Sequence, residues 1–276
     1  MGDPCPAAAA TRSRGRYQGM NSDRPGKADL HIHTTLSDGM AEVSELLQYV
    51  QSQTDLDIIA VTDHDNIRGA WEARETWAKG RYRFQVVPGI EVTTIEGHLL
   101  ALFVEKPVAS LRPVEETLEA VHCLGGLCII PHPMSWLTRS LNQHTIQRII
   151  DSPHDGVYFD GLEIANQSPG SRMGLRKAAT LNRHRFHLAE VGGSDAHFLR
   201  AVGTAYTEFP GRTTEELRRS ILEWTTHGVN GRHPTLLQIG LGQVLCQAWR
   251  GLTVTPRTMG WGPTAASFVK RIFHLR

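Results

Sequence analysis

Residues 29–39 read DLHIHTTLSDG, with His31 and His33 one residue apart, Asp29 ahead of them and Asp38 behind, just before a glycine. In an extended strand side chains alternate between faces, so His31 and His33 would share one side and Leu30 and Ile32 the other. Two neutral imidazoles converging from one strand begin a site for Zn, Mn or Fe. The polar TTLSDG that follows reads as a loop returning a carboxylate over the same mouth. Alone, the pair fits two satisfied surface histidines on an edge strand better than it fits a metal site.

The same residue types recur where later apolar runs end. LDIIAVTDHDN closes on Asp63, His64 and Asp65; FQVVPGIEVTT carries Glu91; GHLLALFV brings His98. GGLCIIPHP ends in His132, GLEIAN holds Glu163 and Asn166, and HLAEVGGSDAH ends in Asp195 and His197. Each of these has an ordinary account by itself, since a histidine at a strand end is usually satisfied by a backbone carbonyl. Chance does not gather acids and imidazoles at the ends of so many successive strands. A His and carboxylate set without cysteine suits two or three divalent ions, Mn²⁺, Zn²⁺ or Fe²⁺. Ions about 3.5–4 Å apart bridge an attacking hydroxide and clamp a phosphoryl oxygen.

These tips need elements to carry them. Glu42, Val43, Leu46, Leu47 and Val50 form a helical apolar stripe, with Ser37 and Asp38 as capping residues. Helices are expected over 67–79, over 113–123 with proline in the first turn, over 145–150, over 173–183, and over 213–224 behind a T-x-x-E capping pattern. The short apolar runs between them suit strands buried on both faces. Strand, polar tip and helix recur about seven times, which argues a parallel α/β sheet. Chemistry gathered at C-terminal strand ends argues a small or incomplete (β/α) barrel.

DLHIHTTLSDG, TDHD, GIEV, PHP and GGSDAH, in that order, resemble the motifs of the PHP (polymerase and histidinol phosphatase) superfamily of metal-dependent phosphoesterases. The resemblance spans about residues 28–230 and is nearest the branch of nucleotide phosphatases and 5′–3′ exonucleases acting on RNA or DNA. It implies an α/β fold, a distorted (β/α)7 PHP-type barrel with a C-terminal extension, and hydrolysis of phosphate esters by metal-bound hydroxide. It also implies that His31, His33, Glu91 and Asp195 hold one metal, with Glu91 bridging to a second held by His132. Asp38, His64 and His197 would hold a third ion or complete the adjacent position, and His98 is the candidate remaining ligand of the second. Asp38, His64, Asp195 and His197 are also the candidate catalytic residues. Asp63 is expected to orient an imidazole, and Glu163 and Asn166 to lie in the core or behind the ligands. A substrate phosphate calls for guanidinium donors, for which Arg139 and Arg200 are preferred and Arg68 and Arg172 are further candidates. Rival readings are a small-metabolite phosphatase of histidinol-phosphate or sugar-phosphate type, and a non-catalytic interaction module.

The 276 residues carry a net charge of +1 with 21% charged and 40% hydrophobic residues, ordinary values for a globular protein. The charge is uneven: 18 basic and 26 acidic residues lie in 29–223, against an excess of basic residues at both ends. The organisation expected is a flexible arm over 1–27, the phosphoesterase domain over 28–230, and a basic extension over 231–276. Phe268, Val269, Ile272, Phe273 and Leu275 give the extension an apolar face suited to a docked terminal helix, or to a weak membrane or nucleic-acid contact. No apolar run is long enough to span a membrane. Four cysteines without paired spacing argue against a disulfide framework and for a cytoplasmic protein.

Overall fold

Strand β1 (Gly26–Ile32) is buried along nearly its whole length and lies third from one edge of a nine-stranded sheet. In this computed structural model residues 24–168, 171–232 and 234–255 are described. The other strands are β2 (Ile58–Val61), β3 (Gln85–Thr93), β4 (His98–Leu102), β5 (Leu127–Ile130), β6 (Gly161–Ala165), β7 (Ala189–Gly192), β8 (Ala205–Phe209) and β9 (His227–Asn230), ordered β7-β6-β5-β4-β3-β2-β1-β8-β9. β2 and β5 are buried at every position, as their unbroken apolar sequences demand. The sheet curls until the segment after β7 meets β1: the His33 N–H donates to the Ala196 carbonyl at 2.9 Å, and Ile32 bridges Ala196 in parallel. The result is the expected distorted, nearly closed α/β barrel.

The sheet is mixed rather than parallel throughout. β4 runs antiparallel to both β3 and β5, and β8 runs antiparallel to β1 and β9. The reason at β4 is the short Thr94–Gly97 turn, in which the Thr94 N–H donates to the Gly97 carbonyl, so no helix crosses over between β3 and β4. β9 continues a sheet where the α/β rhythm of the sequence fades.

Around the sheet pack α1 (Val43–Gln53), α2 (Arg68–Lys79), α3 (Val114–Cys123), α4 (Gln143–Asp151), α5 (Ser171–Leu181), α6 (Thr214–Leu222), α7 (Leu236–Ile239) and α8 (Leu241–Thr253). The capping box at Thr213 and Glu216 forms as its sequence requires. α1 starts later than expected, at Val43, with the Glu45 carboxylate accepting from the Glu42 N–H at 3.1 Å; Ser37 and Asp38 are committed elsewhere. Ala28, Leu30, Ile58, Ala60, Val87, Leu100, Leu102, Ile129 and Val191 form one core cluster on the strands. Two further clusters pack the helices onto them. Leu30 and Ile32 belong to different clusters, because the β1–β2 register shifts between Asp29 and Ile32, so strict alternation does not hold there.

β1 takes in Gly26 and Lys27, and Arg24 is tied to Asp57 at 2.8 Å, so the domain's contacts include residues of the expected arm. The arm before residue 24 and the apolar face at 268–275 lie outside the described residues. Cys128 and Cys246 are free thiols, whereas Cys123 is disulfide-bonded, a departure from the unpaired thiols expected. No helix among the described residues is long and apolar enough to cross a membrane.

Candidate metal centre

Six of the strands deliver polar residues to one mouth. His31 is the penultimate residue of β1 with His33 just beyond the strand, His64 follows β2, Glu91 sits in β3, His132 follows β5, and Asp195 and His197 follow β7. His98 is the first residue of β4, yet it reaches the same mouth because an antiparallel strand starts where its neighbours end. The loop after β1 brings in Asp38. All nine sequence candidates for metal ligation therefore surround one space, and their ligand atoms fall into four overlapping groups: His33, Asp38, His64 and His197; His31, Glu91 and His132; His31, His33 and Asp195; and His64, Glu91 and His98.

Glu91 is the hub. Its Oε1 lies 2.8 Å from His98 Nδ1 and 2.9 Å from His132 Nε2. Its Oε2 lies 3.1 Å from His31 Nε2, 3.2 Å from His64 Nδ1 and 3.3 Å from His33 Nε2. Asp195 Oδ1 approaches His33 Nε2 at 3.2 Å, and Asp38 Oδ2 approaches His197 Nε2 at 3.3 Å.

Three imidazoles have their outer nitrogen fixed. His31 Nδ1–H donates to Glu163 Oε1 at 2.9 Å, and His197 Nδ1–H donates to the Asp195 carbonyl at 2.9 Å. The Ser140 hydroxyl donates to the His132 carbonyl, so its oxygen accepts from His132 Nδ1–H at 2.9 Å. With Nδ1 protonated, each Nε2 faces a carboxylate oxygen, so either a second ring proton or a metal cation has to lie between the two. Other buried atoms of the ring lack hydrogen bonds among the described residues: both nitrogens of His33 and of His98, His64 Nδ1 and Asp38 Oδ1. Buried polar atoms left so are costly. The donor set of neutral imidazoles and carboxylates, with its orphaned atoms converging, fits divalent metal ions.

The electrostatics agree. Burial alone would raise Glu91 and Asp195, but the surrounding imidazoles hold both well below the usual carboxylate range. Asp38 is lowered against burial by His197, His64 and His33. Burial opposes charge on His33, yet Asp195 and Glu91 bring it up to about 10, while His64 is pushed down to about 3, first by burial. His33 stacks on His197 at 4.4 Å and on His64 at 4.6 Å, spacings at which several imidazoliums repel one another. The backbone is strained here as well, with φ of +27° at His132 and +53° at Asp195.

Behind the ring stands a carboxylate set whose role the sequence left open or misassigned. Glu163 accepts from His31 Nδ1, from the His132 N–H at 2.6 Å and from Asn166 Nδ2 at 2.8 Å, so it sits behind two imidazoles at once. Asp63 orients no imidazole: it accepts from the Thr34 N–H, the Thr34 hydroxyl and the Ser37 hydroxyl, holding the loop that leads to Asp38. Asp29 likewise accepts from the Ser194 N–H and hydroxyl and the Gly203 N–H, and burial brings it up to about 6.

The arginines are not gathered into the ring. Arg139 donates to the Thr94 and Ile95 carbonyls on the β3–β4 turn. Arg200 lines a separate cleft of about 550 Å³ with Tyr49, Gln53, Arg232, Pro234 and Gln238, and Arg68 is exposed. The side chain of Arg172 lies outside the described residues. The guanidinium that does lie beside the mouth is Arg250 of α8, which donates to the Thr35 and Ser37 carbonyls at 2.6 and 2.8 Å. Nothing in the residue pattern of 241–253 signals this.

Comparison with known proteins agrees with the geometry. Residues 175–226 match the PHP-associated family model. An uncharacterised protein of Methanocaldococcus jannaschii is 34% identical over 142 residues, 48% of this chain and 79% of that protein. The 5′-3′ exoribonuclease Rnm of Salmonella typhimurium is 32% identical over 117 residues, 36% of this chain and 40% of that enzyme. A solved two-domain protein of Bacteroides vulgatus, containing a predicted PHP-like metal-dependent phosphoesterase, shares the fold at a TM-score of 0.59 and 18% identity, over 80% of this chain and 70% of that one. The chain belongs to the PHP (polymerase and histidinol phosphatase) superfamily of metal-dependent phosphoesterases.

Proposed function

We propose that this phosphoesterase cleaves nucleotide or short oligonucleotide phosphates, as a nucleotide phosphatase or 5′–3′ exonuclease, with two or three divalent ions. The observation that carries the reading is Glu91, whose two oxygens face separate sets of imidazoles. A carboxylate so placed suits a bridge between two ions. His31, His33 and Asp195 would hold one ion with it, and His132 and His98 the other. Asp38, His64 and His197 would hold a third or complete the second position. When bound, such ions supply acidification of the attacking water and neutralisation of charge on phosphorus.

The chain's own residues divide the remaining work. His31, His33, Glu91 and His132 are nearly sealed from solvent, whereas the side chains of His197, His64, Asp38 and Asp195 keep 16, 10, 7 and 5% of their exposure. The open side therefore takes in the four candidate catalytic residues together with His98, whose side chain keeps 9%, and those four are assigned to contact the phosphoryl group and its water. Asp38 and Asp195, held ionised by their imidazole neighbours, act there as acceptors rather than acids. Among the described residues the Arg68 and Arg200 guanidinium groups have no competing hydrogen bond or ion pair, so they are the arginines assigned to substrate phosphate. The nucleic-acid preference rests on the exoribonuclease named above, which this chain matches over part of its length.

The test is a release panel with protein loaded with Mn²⁺ or Zn²⁺: nucleoside 3′,5′-bisphosphates, short 5′-phosphorylated RNA and DNA, histidinol phosphate and sugar phosphates. Phosphate or mononucleotide release from the nucleotide substrates is expected, with His31→Ala inactive. Turnover confined to the small metabolites would overturn the nucleotide reading in favour of a metabolite phosphatase.

A further inference from the structure

Helix α8 sits on the structure the wrong way round for a hydrophobically docked helix. Leu241, Leu245, Trp249 and Leu252 are between 64 and 71% exposed. Gln247, Arg250 and Gly251, spaced i, i+3 and i+4 and hence on one face, turn instead toward the loop that carries Asp38. Gln247 Nε2 donates to Asp38 Oδ2 at 3.3 Å, and a Cβ on Gly251 would lie 3.4 Å from the same oxygen. Arg250 bonds the Thr35 and Ser37 carbonyls, and Asn66 Nδ2 takes the Leu36 carbonyl between them at 2.8 Å. Three successive carbonyls before Asp38 are thus each held by a side-chain donor, two of them from α8.

This arrangement has a consequence for the carboxylate itself. Oδ2 is occupied by Gln247 and faces His197, whereas Oδ1 has no hydrogen bond and faces His64 Nε2 at 3.8 Å and His33 Nδ1 at 4.0 Å. Holding one oxygen with an outer donor leaves the other free and aimed, which is how outer partners tune a monodentate metal ligand. We infer that α8 is part of the metal centre, and that Gln247 and Arg250 are positioning residues that aim Asp38 at the ion position shared with His33, His64 and His197. The inference rests on the metal-centre reading but needs no particular substrate.

Equilibrium dialysis against Mn²⁺, with metal analysis of the retained protein, tests it on the full chain. Gln247→Leu keeps the volume and removes the donor; Arg250→Ala releases the loop. The expected result is a 10–100-fold weakening of one ion step, with the remaining ions bound within twofold of wild type and metal-free thermal unfolding unchanged. Asp38→Asn should weaken the same step, and Gln247→Leu added to Asp38→Asn should then weaken it no further. Leu245→Glu, on the exposed face, should leave every step alone. Equal ion affinity in wild type and Gln247→Leu would overturn the inference, as would equal weakening of all ions. Because the measurement counts ions and uses no substrate, a failed release panel leaves it standing.

Discussion

Glu163→Gln isolates one link in the centre, the carboxylate behind His31. The native side chain accepts three hydrogen bonds: Oε1 from His31 Nδ1, and Oε2 from the His132 N–H and from Asn166 Nδ2. An amide offers one accepting oxygen. The two donors on the Oε2 side include a backbone N–H that cannot rotate away, so the amide oxygen goes there. The NH₂ group must then face His31 Nδ1, which can accept it only by giving up its proton. The imidazole changes tautomer, and Nε2 now carries a hydrogen toward Glu91 Oε2, 3.1 Å away. A protonated Nε2 has no lone pair for an ion.

The expected cost falls on metal binding rather than on folding. Losing an orienting carboxylate costs about 10–100-fold in metal affinity, or about 1.4–2.7 kcal/mol. In the metal-free protein a hydrogen bond to a charged acceptor, about 1.5–3 kcal/mol, is lost, but the new Nε2–H contact to Glu91 offsets much of it. Chelator-competition titration with Mn²⁺ should show the drop, while metal-free unfolding moves by less than about 1.5 kcal/mol. Nitrogen-15 spectra of the His31 ring should show the tautomer reversed. Unchanged metal affinity with the tautomer reversed would refute the claim that His31 Nε2 is a ligand. An unreversed tautomer would refute the hydrogen-bond accounting.

Three further outcomes follow from the same geometry. Metal ions bound to the folded centre should raise its stability by about 2.7 kcal/mol at a free concentration a hundredfold above Kd, so chelation should lower the melting temperature reversibly; a melting curve indifferent to chelator would count against a bound cation. Gly193→Ala places a Cβ 2.5 Å from His31 Cβ and 2.8 Å from Glu163 Oε1, so metal affinity should fall at least tenfold, and an alanine variant with native metal content would contradict the close packing there. Asp63→Ala leaves the Thr34 N–H and the Thr34 and Ser37 hydroxyls without their acceptor; about 2–4 kcal/mol of stability should go, measurable by urea unfolding, and a loss under 1 kcal/mol would show the loop is held by other contacts.

How much of this was legible in the sequence depends on the distance over which each cause acts. The nine ring residues could be read because a strand buried on both faces has to place its polar residues at its ends, and that rule is local. His98 was found despite a wrong premise. It was grouped with residues at C-terminal strand ends, yet it opens β4, and it reaches the mouth only because β4 runs backward between β3 and β5. The direction of β4 follows from a tight turn at Thr94–Gly97. Periodicity carries no sign of strand direction, so a parallel sheet was the natural reading.

What the sequence did not yield are pairings between residues far apart in the chain. Ser37 and Asp38 had the residue types of a helix cap, but Ser37 is claimed by Asp63 and Asp38 by His197 and Gln247, 159 and 209 positions away. A local preference of about 1 kcal/mol for capping is outweighed by a buried carboxylate among imidazoles. Arg139 had the right type and place for a phosphate, yet two backbone carbonyls of a turn some 45 residues earlier occupy its guanidinium. Arg250 had no motif around it, yet it lies beside the mouth. Composition and spacing can say that a strand end carries a ligand, because only the strand has to be right. They cannot say which distant partner engages that residue's other polar atom, and in this centre that second contact fixes the direction in which His31 points, through Glu163, and Asp38 points, through Gln247.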